Sequence, residues 1–243
     1  MSALIFRLLI LTLISAISLV SSAALPPKHQ SLERILAEKG EAKFSELKTL
    51  GPNVYRDLQR LTFSSEQPLG LRWEAFMAMV RLGDRESIPE INKALNSGEW
   101  FLKDAALKVL PAVDKDLAYK AALIKLNDSA LVVRTSAVDV LGQVKNPKCA
   151  EKLWSQLYSK ENYMKHQSLW IRRHIVEALA DLAPKGSEDK FVKVLDDSDS
   201  TLFAPAIKGL ERLTGKKLGD PTLPPVYKRY FWKKWYGEKI GKT

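Results

Sequence analysis

The sequence predicts an all-α protein built as an array of helical hairpins, and three observations predict it. Arg72, Lys103, Arg134, Arg172 and Phe203 fall into one column with spacings of 31, 31, 38 and 31 residues. The residues just before these anchors, Leu71, Leu102, Val133, Ile171 and Leu202, are all aliphatic. Further apolar columns keep the same beat: Ala75, Ala106, Ala137, Ile175 and Ala206, then Met79, Leu110, Leu141, Leu179 and Leu210, then Leu82, Val113, Val144, Leu182 and Leu213. Within a unit these positions lie at helical spacing and do not alternate as a strand would. A long fixed period with preserved apolar columns marks repeats that bury their faces only by stacking on neighbours.

Taken in order, Met1 to Ala24 carries one basic residue, Arg7, an apolar run from Leu8 to Val20, and the small residues Ser21, Ser22, Ala23 and Ala24. This is the layout of an export signal cut near Ala23 or Ala24, with an uncleaved anchor as the rival reading. Residues 25–67 are expected to hold an extended lead-in through Pro26 and Pro27 to Gln30, a helix from Leu32 capped by Ser31, and a degenerate capping repeat from Glu41 to Leu61. Residues 68–215 form the regular array. Its second helices carry Ile91, Ala122, Leu153 and Phe191, followed by Leu95, Leu126, Leu157 and Leu195. Asn96-Ser97-Gly98, Asn127-Asp128-Ser129 and Asp196-Asp197-Ser198 are the polar turns between units. Pro89 and Pro147 fall in first turns of second helices, and Pro205 near the start of a first helix, where a missing N–H costs nothing.

The segments Leu131-Val-Val-Arg134-Thr-Ser-Ala137-Val-Asp-Val-Leu141-Gly142 and Leu169-Trp-Ile-Arg172-Arg-His-Ile-Val-Glu-Ala-Leu179-Ala, set in units of 31 residues, resemble the short HEAT-like repeats first noted in phycobilisome lyases. The resemblance covers about residues 41 to 215. It implies a right-handed α-solenoid of HEAT-like hairpins and commonly a protein-binding scaffold. It does not imply lyase activity, since repeats of this kind serve many functions. Family association alone carries the further alternative of a bilin-lyase-like enzyme. The basic anchors sit where they reach the acid or the carbonyls of the preceding turn, with Glu66, Asp128 and Asp197 each six residues before an anchor. Phe203 breaks this basic column, as Ser97 and His166 break the acidic one.

Two stretches depart from the period. Seven extra residues near Lys160 to His166 account for the one long spacing, and they are expected to bulge from a loop. Such insertions are often used for binding. Trp154, Tyr158, Tyr163, Met164 and His166 are therefore the candidate contacts for a protein partner, with packing between repeats the alternative role for Trp154. The second departure is the tail, residues 216–243. A Pro-broken link leads to a helix over Val226 to Lys239, which either caps the last repeat through Tyr227, Phe231, Trp235 and Ile240 or offers a basic-aromatic surface to an anionic envelope. That surface would use Lys228, Arg229, Trp232, Lys233, Lys234 and Tyr236.

The net charge of +10 favours acidic partners without bearing on the fold. Export argues against nucleic acid as the natural target. One cysteine, Cys149, excludes an intrachain disulfide and is expected in the apolar packing face. His29, His166 and His174 lack the paired spacing of a zinc site. No nucleophile elbow, phosphate-binding Gly-rich loop or dinucleotide fingerprint is present. The expectation is an exported, non-catalytic scaffold for a protein partner, without cofactor, metal or small-molecule substrate, and with binding to anionic lipid or cell-wall polymer through the tail as the alternative.

Overall fold

The computed structural model describes residues 27–241, with side chains from Ser31 onward. The expected export signal lies outside the described residues. The chain divides into two compact units, Met1–Gly51 and Pro52–Thr243.

In the first unit, α1 (Pro27–Ala37) and α2 (Ala42–Thr49) bury Leu32, Ile35, Leu36 and Leu47. Arg34 pairs with Glu38 at 2.6 Å and also with Glu46. The extended lead-in expected up to Gln30 is instead helical from Pro27. A proline at the first helical position has its φ already set and no N–H to leave unbonded. The stretch from Glu41 to Leu61, expected as one capping repeat, is divided at Gly51, whose φ of +91° suits glycine.

The second unit runs through α3 (Val54–Phe63), α4 (Leu69–Gly83), α5 (Ile88–Leu95), α6 (Trp100–Val113), α7 (Lys115–Lys125), α8 (Leu131–Val144), α9 (Ala150–Leu157), α10 (Ile171–Leu182), α11 (Glu188–Val194), α12 (Phe203–Thr214) and α13 (Pro225–Ile240). The fold is all-α; among the described residues the only sheet is a two-stranded hairpin between α9 and α10. The predicted first helices are α4, α6, α8, α10 and α12, and each packs on the next. Every second helix from α5 to α11 packs on the first helix that follows it.

The apolar columns explain these contacts. The residues three and seven past each anchor are all fully buried, as are Ile91, Ala122, Leu153 and Phe191 in the second helices. Small residues set how closely the helices approach. A Cβ on Gly209 would lie 2.6 Å from the Phe191 ring, and one on Gly142 would lie 3.2 Å from the Ala178 methyl. Helices α8, α10 and α12 stop at the left-handed residues Lys145, Ala183 and Gly215, whose N–H groups close the last turn on Leu141, Leu179 and Glu211.

Candidate functional site

The basic anchors build a ladder of buried polar contacts that supports the inserted segment. Arg72 Nε donates to the Thr62 carbonyl at 3.0 Å and Arg172 Nε to the Leu157 carbonyl at 2.9 Å. These bonds reach back to the end of the preceding helix; the expected bonds to carbonyls of the preceding turn are made by Arg134, whose Nη1 donates to those of Asp128 at 2.9 Å and Ser129 at 3.0 Å. The acids, however, come from the following turn: Arg72 pairs with Glu99 at 2.5 Å, Lys103 with Asp128 at 2.7 Å, and Arg172 with Asp197 at 2.5 Å. A helical hairpin returns the chain to the end where it began, so the turn after the second helix lies beside its own unit's anchor. Burial alone would raise the Asp128 carboxyl, but bonds from Lys103 and the Ala130 N–H hold it below the usual range.

At the insertion the ladder changes chemistry. Arg134 has no carboxylate partner in the following turn; its Nη2 donates to the Glu161 carbonyl at 2.7 Å and its Nε to Asn162 Oδ1 at 3.3 Å. Asn162 is completely buried, its Nδ2 donates to the Gln156 carbonyl at 2.8 Å, and its backbone carbonyl accepts from the Leu169 N–H at 3.0 Å. From this foundation rises an antiparallel hairpin, β1 (Tyr163–Met164) and β2 (Gln167–Ser168), in place of the expected loop bulge. Its two-residue turn, Lys165-His166, has φ values of +49° and +65°, the mirror-image turn that suits strand twist. Arg172 grips the hairpin from below. Nη1 donates to Ser168 Oγ at 3.1 Å, and the guanidinium lies 4.5 Å from the Tyr163 ring centre.

The five expected contact residues separate. Trp154 is only 7% exposed and stacks edge-on against Phe191 at 4.9 Å, so it belongs to the core and not to a surface. Tyr163 is half-buried over Arg172. Tyr158, Met164 and His166 are exposed, Met164 at 60%. The structure adds Trp170, 58% exposed, with its indole N–H fixed by Thr135 Oγ1 at 3.1 Å. Trp170 lines an open cleft of about 570 Å³ together with His166, Gln167, Ser168, Arg173 and Asp199. Burial alone would raise the Asp199 carboxyl, but hydrogen bonds from Ser168 and Thr201 hold it low. The column two before the anchors holds Gly70, Phe101, Val132, Trp170 and Thr201, and the size of Trp170 in it is the signal that sequence reasoning missed. Asn162 lies outside the repeat columns and left no such signal.

The tail helix α13 packs on α11 and α12, but by a different face from the one expected. Trp232 is wholly buried, whereas Tyr227, Phe231 and Ile240 are exposed. Arg229 lies 4.9 Å from the Phe203 ring and donates to the Leu195 carbonyl at 3.3 Å. Leu195 and Leu157 occupy the same repeat column, so Arg229 takes the carbonyl that an anchor arginine at 203 would have taken. Of the residues assigned to an anionic surface, Trp232 is removed by burial and Arg229 is engaged. Lys233 pairs with Asp196, Lys228 donates to the Pro221 carbonyl, Tyr236 is half-buried, and Lys234 is exposed.

Cys149 is buried, its thiol 3.0 Å from the Asn146 carbonyl, and burial pushes its pKa up to about 11. His174 sits at the surface against Asp139 at 2.7 Å. Among the described residues, no group of three His, Cys, Asp or Glu is placed to hold a metal ion. No protein-family model matches the chain, and no curated protein matches it.

Proposed function

We propose that the chain is an exported HEAT-like α-solenoid, right-handed and closed by α13, that binds a protein partner without catalysis. The partner surface is the hairpin over 163–168 and the cleft beside it. The observation that carries this reading is the buried support of an exposed insertion: Asn162, Arg134 and Arg172 hold the base while Met164 and Trp170 stand in solvent. A surface held rigid in advance loses little conformational freedom on binding, and exposed aromatic anchors contribute most to interface energy.

Affinity capture from envelope extract tests the proposal, using the chain from Leu25 and its Met164→Ala/Trp170→Ala double variant. One protein retained at high salt by the parent and lost from the variant supports it. Equal capture by both, or capture that disappears with salt, refutes it. Export is tested separately: the native protein should begin at Ala24 or Leu25 on N-terminal sequencing.

A further inference from the structure

We propose that the outward face of α13 docks this protein onto an anionic lipid bilayer, independently of the protein-partner surface. The inward positions of the helix are Arg229, Trp232 and Tyr236, with Lys228 and Trp235 beside them. This leaves a stripe on the opposite side formed by Tyr227, Tyr230 and Lys234, with Glu238 one turn beyond Lys234 and with Val226 and Phe231 flanking it. Tyr227 is 62% exposed and Tyr230 66%. The capping contacts thus use up one face of the helix and turn a second aromatic face to solvent.

Charge specifies the occupant. Residues 216–243 contain eight basic and two acidic residues, a surplus of six out of the chain's net +10. More than half of the net charge therefore sits in the segment that carries the stripe. Lys234, with its long apolar stem beside the two tyrosines, matches the chemistry of the headgroup layer, where the rings sit at the boundary and the ammonium reaches phosphate. Lys228, Arg229, Lys233 and Lys239, held by Pro221, Leu195, Asp196 and Glu188, add charge at its flanks. Single-stranded nucleic acid is matched less well, because the stripe is one helix wide and lacks a groove to track a phosphate backbone. Among the described residues, no helix is long and apolar enough to cross a membrane, so the contact is one of lying on the surface.

Vesicle sedimentation with the chain from Leu25 tests this. That chain keeps every described helix and lacks the apolar segment that would itself partition into lipid. Binding is expected to vesicles containing phosphatidylglycerol at low salt, to be much weaker on phosphatidylcholine alone, and to decline as salt rises. Lys234→Glu should weaken partition at least about fivefold. Tyr227→Ser/Tyr230→Ser should abolish what survives at high salt. Both variants should melt like the parent, because the altered side chains point away from α11 and α12; Lys234→Gln serves as a milder second variant. Equal binding to both lipids, unchanged binding by the variants, or retention by RNA or polyphosphate without vesicle binding overturns the proposal. The vesicles contain no protein, so this result is independent of whether a protein partner is found.

Discussion

Replacing Arg172 by Met should be among the most damaging single changes in the second unit. The Arg172 side chain is 1% exposed and Asp197 10%, and the two are joined by bonds of 3.2 and 2.5 Å. Removing the guanidinium also strands the Leu157 carbonyl, costs Ser168 Oγ one of its partners, and takes the cation from beneath Tyr163. Stranding one charge of a buried pair costs about 3–5 kcal/mol. For a unit of this size that corresponds to a fall in Tm of about 6–20 °C, measured by calorimetry or circular dichroism. Amide exchange should report the same event locally, with the Leu169 N–H losing protection as the hairpin base loosens. The double variant Arg172→Met/Asp197→Leu should be less destabilised than the sum of the single changes, since neither charge is left unpaired. A loss below about 1 kcal/mol for Arg172→Met, the worth of a surface pair, would refute the buried-ladder reasoning.

Asn162→Leu should cost about 1–3 kcal/mol by urea denaturation, because Arg134 Nε loses its buried acceptor, while the Gln156 carbonyl keeps the Ser159 N–H. Asp128 has a lowered folded pKa, so its contribution is complete above the unfolded value of about 4 and is lost as pH falls through the folded one. The stability gap between the parent and Asp128→Asn should therefore hold steady from neutral pH down to about 5 and close below about 4. Cys149, buried and with its pKa near 11, should resist aromatic disulfide reagents at pH 8 in the native protein and react at once in denaturant; rapid native labelling would contradict the packing described. Arg229→Ala should destabilise by about 1–2 kcal/mol through loss of the Phe203 and Leu195 contacts, whereas Lys234→Ala should stay within about 0.5 kcal/mol.

How much of this molecule is legible in its sequence depends on whether a residue's role repeats. The column from Ala75 to Ala206 was readable because burial against neighbouring helices imposes the same small apolar residue in four of its five units. The position of the insertion was readable for the same reason, as a break in a period. Its form was not. The hairpin depends on Asn162 meeting Arg134 across 28 residues and Gln156 across six, and neither spacing belongs to the repeat. The basic anchors were visible, but the direction of their acid partners was not, since a linear spacing does not say which of two adjacent turns a side chain enters.

Trp154 and the tail show the same limit. A large aromatic residue in a variable column reads equally as contact or core, and only the arrival of Phe191 at 4.9 Å placed it in the core. On α13, stripes centred on Phe231 and on Trp232 both satisfy helical spacing; the inward one was chosen by the fit of Arg229 against Phe203 and Leu195. By itself, the sequence determined the all-α class and the packed columns, because burial at a fixed period leaves a mark on every unit. The tertiary structure alone decided which aromatic residues face solvent, how the ladder closes and what shape the insertion takes, because each of those outcomes depends on a contact made once, between residues that sequence spacing does not relate.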